Sequence, residues 1–435
     1  MNSRWLTATS RIVFSRVLVV STCVVGACGG KDEPTRPARS VEVPADGTPP
    51  PSTPFGDADE VVEPEEAHWV ASHQSADGRW EAAAWDRWRR GERVGGQRLP
   101  GIGSPSLDVA VTSLALMAYS GAGYTSASEG LYGAVVAWGL HALLKLQDSD
   151  GAFGDPKDGS WPVNQGLAIF ALTEQAEMLS DARLAAAVRI GVRRAQRSRA
   201  VEGDRWTGDH VLGGLPPFAW IAFASRHAVL AAKSEKSGGD GHSATGLESD
   251  KNLAKDRAEI AAWVSLPDRE RSLAKLGVAL AFGDPADKSW GARPDIVAAA
   301  TWLAEHRPVW EPTGVGVDSM GWWLGTLGLF AAGGDPWRRW ESAMKTAIID
   351  NQHRDGSFCE LKGSWDPIGA GSEEGGRVYM TLTCALSTEI WYRYDKVLGI
   401  PDPGTQTQPE VLPKSKPGPI VDESKLPRRR YTRCP

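Results

Sequence analysis

Gln74-Ser75-Ala76-Asp77-Gly78-Arg79-Trp80, Gln147-Asp148-Ser149-Asp150-Gly151-Ala152-Phe153 and Gln352-His353-Arg354-Asp355-Gly356-Ser357-Phe358 share one form, Gln-x-x-Asp-Gly-x-aromatic. Each follows a run in which apolar residues recur every three or four positions, the period of a helix with one buried face. Asp-Gly ends such a helix because glycine accepts the left-handed conformation required just past the last turn. The aromatic then folds back over the helix end, and the Gln amide satisfies backbone groups left open there. One copy is a common turn. Three copies in one chain define a repeat architecture, and Gln196 with Gly203-Asp204-Arg205-Trp206 reads as a degenerate fourth.

Helical periodicity extends outward from these turns. It runs through 107–119, 131–147, 163–178, 181–197, 213–231, 267–281, 293–306, 318–333, 336–352 and 377–396. Two shorter runs, 65–74 and 252–263, bring the count to twelve, and alternating β runs are absent. Residues 234–250 are polar and glycine-rich, a surface insertion. The folded region is therefore 65–400 and all-α.

The composition agrees. Of 435 residues, 41% are hydrophobic and 23% charged, enough to bury a core and to exclude wholesale disorder. A net charge of −6 and a sequence pI of about 5.8 argue against a general nucleic-acid binder. There are 19 Trp against 9 Phe and 7 Tyr, a surplus that calls for a repeat reusing Trp or an aromatic-lined cavity.

Proline marks the boundaries. Residues 31–64 and 401–435 hold 8 Pro each, more than half of the 29 in the chain. Such Pro-rich, polar flanks cannot offset their ordering entropy, so both are expected to be disordered. Residues 1–27 read as an export signal: Arg4, Arg11 and Arg16 precede an apolar run, Val17–Val25, too short to span a membrane comfortably. Val25-Gly26-Ala27-Cys28 matches a bacterial lipobox, with Cys28 the lipidated first residue, although Ala27 also suits ordinary signal cleavage. Cleavage removes three Arg and no acid, lowering the net charge from −6 to −9. Residues 28–64 then form a tether; the Pro-rich stretch 31–64 spans roughly 30 Å as a coil. The chain is thereby expected in a bacterial envelope, on the outer membrane of a diderm host, since Gly29 carries no retention charge. The five Cys make no disulfide framework. Cys384 reads as a buried small residue, and Cys359 and Cys434 are free to pair in an oxidising compartment.

The three turns resemble the QW repeats of squalene–hopene cyclases and of protein prenyltransferase β subunits. The resemblance is most specific where Asp318-Ser319-Met320-Gly321-Trp322-Trp323 leads to Trp337-Arg338-Arg339-Trp340. The third repeat, Gly363-Ser364-Trp365-Asp366-Pro367 and Gly376-Arg377-Val378-Tyr379 follow. The chain is similar to squalene-cyclase-like repeat proteins of bacterial envelopes over roughly residues 65–396. That implies an (α/α)6 toroid with an outer ring of 65–74, 131–147, 181–197, 252–263, 293–306 and 336–352. The inner ring would be 107–119, 163–178, 213–231, 267–281, 318–333 and 377–396, with parallel helices whose N-termini converge on one mouth.

The chemistry that the resemblance implies is incomplete. The cyclase acid motif DxDD is missing, since Asp148 and Asp150 belong to a repeat turn and Asp108 stands alone as a cap. Of the zinc ligands of prenyltransferases only His353, Asp355 and Cys359 lie close together, on an outward-facing turn, so no metal and no cofactor is expected. There is no HExxH, P-loop, GxSxG elbow or Gly-Cys-Gly-Glu-Gln thioester. What remains is a set of mouth residues: Asp108, Asn164, Trp220, Asp318, Trp322, Arg377 and Tyr379 as a binding constellation, with Asp318 and Asp366 as acid candidates. Three functions fit. A lipid-tethered, non-catalytic scaffold for a small molecule, glycan or protein stands first. A cyclase-like enzyme with an unfamiliar acid stands second, and an (α/α)6 carbohydrate-active enzyme with two carboxylates third.

Overall fold

The computed structural model describes residues 65–83, 93–94, 97–98, 101–202, 212–236, 251–282, 290–354 and 361–390. Residues 1–64 with Cys28, the tail from 391, Cys359, Asp355, Gly356, Phe358 and Trp206 lie outside them. Twelve α-helices stand among the described residues: α1 (Glu65–Ser72), α2 (Asp108–Gly121), α3 (Gly130–Lys145), α4 (Trp161–Leu179), α5 (Ala182–Glu202), α6 (Pro217–Lys236), α7 (Lys251–Ala262), α8 (Leu273–Ala281), α9 (Pro294–Glu305), α10 (Ser319–Ala332), α11 (Gly334–Ile349) and α12 (Ser372–Thr388). A two-residue hairpin, β1 (Arg93–Val94) with β2 (Gln97–Arg98), is the one β pairing of named strands there, unforeseen in a sequence without alternating runs.

Local chemistry sets the helix ends. Ser272 and Asp318 cap α8 and α10 by accepting from Lys275 N and Gly321 N. Pro162 and Pro294 sit in first turns, where a missing N–H costs nothing. Ser180, at φ 50°, stops α4 in the left-handed conformation. α5 continues past Gln196 to Glu202, so the fourth repeat does not end its helix as the others do.

Two kinds of helix alternate. All 14 residues of α2 are buried, and nearly all of α4, whereas α11 buries only Trp340, Met344, Ala347 and Ile348. A helix buried all round is enclosed by other helices, and an amphipathic one borders solvent. The neighbours agree: α4 lies between α2 and α6, α10 between α8 and α12, and α12 also packs on α2. α6 approaches the end of α8 through Phe223 and Phe282, whose rings are 5.9 Å apart. Odd-numbered helices cover the even ones: α5 lies on α4 and α6, α7 on α6 and α8, α9 on α8 and α10, α11 on α10 and α12, and α1 on α12 and α2, while α3 lies on α2.

The repeat turns join successive odd helices. Gln74 Nε2 donates to Gly78 O and to Val135 O of α3, both at 2.9 Å. Gln147 Nε2 donates to Ala187 O of α5 at 2.9 Å. Gln352 Nε2 donates to Gly363 O at 3.3 Å and to Glu66 Oε2 of α1 at 3.1 Å. Last thus meets first. Trp80 Nε1 reaches back to Val70 O at 2.7 Å, four residues before Gln74; Trp365 Nε1 reaches Ile348 O at 2.7 Å, four residues before Gln352. The backbone N–H groups of Trp80, Phe153 and Trp365 donate to Thr112, Gln165 and Thr381 on α2, α4 and α12. Each buried Trp removes about 200 Å² from water, about 5 kcal/mol at 25 cal/mol per Å².

Gly356 and Phe358, expected to complete the third repeat, lie outside the described residues. The glycine and aromatic that do the work of Gly78 and Trp80 are Gly363 and Trp365, seven residues beyond Gly356 and Phe358. Gly78, Gly151 and Gly363 have φ of 92°, 97° and 91°. A side chain at each would also overlap the backbone of the next odd helix, at Trp138, Ile190 and Glu65 respectively. Glycine is required there twice over, for conformation and for close approach.

Candidate functional site

The predicted residues gather into three groups at the starts of even helices. In the first, Asp108 Oδ1 accepts from Ala82 N at 3.0 Å and Oδ2 from Arg79 at 3.4 Å, fastening the first repeat turn to α2. Asn164 donates to Ser106 O at 2.7 Å and accepts from Ala110 N at 3.0 Å, fastening α4 to the start of α2. Trp220 is buried in α6, and its indole N–H has no partner.

In the second, Arg377 opens the straight part of α12, after a kink at Gly376 with φ 70°. Its side chain is 0% exposed and donates to Ser364 Oγ, to Trp365 O at 3.0 Å and to Asp366 Oδ1 at 2.7 Å. His353 Nε2 lies 2.8 Å from the same Asp366 oxygen. Burial would raise the Asp366 carboxyl, but the hydrogen bond to His353 and the charges of Arg377 and His353 outweigh it and hold the group at about 2. Asp366 is thus a pinned carboxylate with no proton to give near neutrality.

In the third, Asp318 caps α10 through Gly321 N at 2.8 Å. It is partly buried, and burial raises its carboxyl against that stabilising bond. Tyr379 of α12 is fully buried over Gly375; burial and the neighbouring Asp318 charge push its phenol well above the usual value. Thr383 donates to Ser319 at 2.8 Å, tying α12 to α10 beneath this corner. Trp322 and Trp323 are both buried, Trp322 at 1% exposure against the half-buried Trp310.

The chain matches no family model, no curated protein and no solved structure.

The structure therefore joins Asp366 to Arg377 and Asp318 to Tyr379, and closes off Arg377, Tyr379 and Trp322 from solvent. The reason lies in the connections. Residues 101–104 lie across the start of α12: Gly101 N donates to Glu373 Oε2 at 2.9 Å, Gly103 N to Glu373 O at 2.9 Å, and Ser104 N to Glu374 O. Glu373 and Glu374 are used in that pairing. Among the described residues no group of three His, Cys, Asp or Glu is placed to hold a metal, and Asp355 and Cys359 lie outside them.

Sequence reasoning missed one concave surface. A groove of about 870 Å³ runs between residues 307–310 and the outward stripe of α11, Asp335, Arg338, Arg339, Ser342 and Thr346 through to Asp350 and Asn351. The signal was present: those positions recur at helical spacing and are all polar, on the exposed face of an amphipathic helix.

Proposed function

We propose that this chain is an (α/α)6 toroid, tethered to a bacterial envelope by lipid on Cys28, that serves as a binding scaffold and performs no chemistry. The observation that carries the reading is the state of its two acid candidates. Delivering a proton takes a free carboxylic acid, and Asp366 is bonded to Arg377 and His353 while Asp318 is engaged as the cap of α10 through Gly321 N. The alternation of enclosed and amphipathic helices supports the toroid, as does the return of the last repeat to α1 through Gln352 and Glu66. The resemblance to squalene-cyclase and prenyltransferase repeats belongs to the same reading.

A cyclase-like enzyme is the second reading, favoured by the raised Asp318 carboxyl beside the Tyr379 phenol. Mass spectrometry after incubating the protein with squalene, prenyl diphosphates and envelope glycans separates the two. The scaffold yields no product; a product lost in Asp318→Asn or Asp366→Asn establishes an enzyme. Cys28→Ala is expected to move the protein from membranes to the soluble or unprocessed fraction and to abolish palmitate labelling. Equal partitioning and labelling of both forms would remove the tether from the account.

A further inference from the structure

The groove between residues 307–310 and α11 holds two cations that the fold does not use. Arg338 is paired with Asp335. Arg307 and Arg339 are exposed and have no ion-pair partner among the described residues, yet both line the same groove. An exposed guanidinium is usually a solvated surface group, but two in one concavity, beside an aromatic platform, are an arrangement for a ligand.

Apolar residues line the same groove. Trp310 is half-buried, propped on the buried Trp322 at 6.2 Å, and Val309 beside it is 63% exposed. The lining also holds Asp350, exposed and with no ion pair or side-chain hydrogen bond among the described residues, and Asn351, whose amide donates to Ala347 O at 2.9 Å. Ser342 and Thr346 add hydroxyls along the wall.

We propose that this groove binds an acidic saccharide. Its carboxylate or phosphate would sit between Arg307 and Arg339, where charge-assisted hydrogen bonds are strongest. A sugar ring would lie on Trp310, whose flat apolar face suits the C–H side of a pyranose. Ring hydroxyls would donate to the Asp350 carboxylate, a strong acceptor for O–H donors. Asp350 decides against the other anion of similar reach, an acidic peptide, because a run of carboxylates would meet a like charge there. The volume falls within the usual range for small-ligand sites. Neither Asp318 nor Tyr379 lines this groove, so the proposal stands or falls separately from the question of catalysis.

The test titrates the full chain with galacturonate and glucose 6-phosphate, each carrying one anionic group, by calorimetry, with maltotriose and triglutamate as comparisons. Saturable binding of at least one acidic sugar is expected, weakening with salt. Arg307→Ala/Arg339→Ala and Trp310→Ala should each weaken it about tenfold or more, with unchanged far-ultraviolet dichroism, and Arg183→Ala, an exposed Arg of α5 outside the groove, should leave it unaltered. Carboxylate and phosphate sources of the anion are distinguished by which of the two sugars binds. Binding of neither acidic sugar would overturn the proposal. Equal binding of maltotriose, preference for triglutamate, loss on Arg183→Ala, or indifference to the double Arg variant would do the same.

Discussion

Gly363 is where the last repeat meets the first helix, and replacing it by Ala measures that junction. The substitution has two costs. A residue with a Cβ at φ 91° takes on about 1–2 kcal/mol of backbone strain. Its Cβ would also overlap the carbonyl of Glu65, so α1 has to shift, as in overpacking of a core, at about 1–3 kcal/mol. Gly123 separates the two, since it has φ 87° but nothing within 4 Å of the added atom. Gly123→Ala should then cost only the strain. The excess in Gly363→Ala should appear as local opening of α1, Glu65–Ser72, because that is the element displaced. At 1.4 kcal/mol per factor of ten, amide exchange across α1 should accelerate about 5- to 150-fold over Gly123→Ala. Hydrogen exchange read by mass spectrometry on α1 peptides gives the answer. Equal exchange in the two variants would refute the role of Gly363 in seating α1.

Three further outcomes follow from the same contacts. His73 is buried, and desolvation first, with the Arg377 charge, depresses its ring from 6.5 to about 4 despite its bond to Trp69 O. The unfolded chain therefore binds the proton first as pH falls, so stability present above 6.5 is lost toward 4, by about 3 kcal/mol in all; denaturant melts of His73→Gln should lack that slope, and a parallel profile would contradict it. Asp366, held at about 2, contributes stability that is intact above 3.8 and lost only below it, a separate window in the same melts. Asp366→Asn leaves the enclosed Arg377 without its counter-charge and should cost about 3 kcal/mol at neutral pH, and a loss under 1 kcal/mol would show that Ser364 and Trp365 O suffice.

The sequence carried the helices well because their period is strong. All twelve expected segments contain a helix, with ends shifted by up to six residues where the expected boundary lies among the described residues; the expected end at 396 lies outside them. α8 starts later, at Leu273, because Ser272 supplies the cap, and α12 starts earlier because one turn precedes the kink at Gly376. At the third repeat Asp355-Gly356-Ser357-Phe358 satisfies the motif in sequence, while Gly363 and Trp365 make the contacts of Gly78 and Trp80 in space. The clue was available in the shared spacing of Gly78-Arg79-Trp80 and Gly363-Ser364-Trp365. The mouth residues were harder. A helix start announces free N–H groups, but which side chains there meet solvent depends on the loops laid over them. The pairing of 101–104 with Glu373 and Glu374, more than 260 residues apart, is a long-range contact with no local signature.

Cross-linking tests the closing contact itself. With Cys23, Cys28, Cys359 and Cys434 replaced by Ser, Cys is placed at Glu66 and Gln352, whose side chains hydrogen-bond at 3.1 Å. A reference variant carries Cys at Asp150 and Arg197, paired at 2.6 Å across neighbouring segments. A short bis-maleimide applied to dilute protein, followed by peptide mass spectrometry, should give an intramolecular link between residues 66 and 352 as efficiently as between 150 and 197. A chain that links 150 to 197 but never 66 to 352 would show that the last repeat does not return to the first helix.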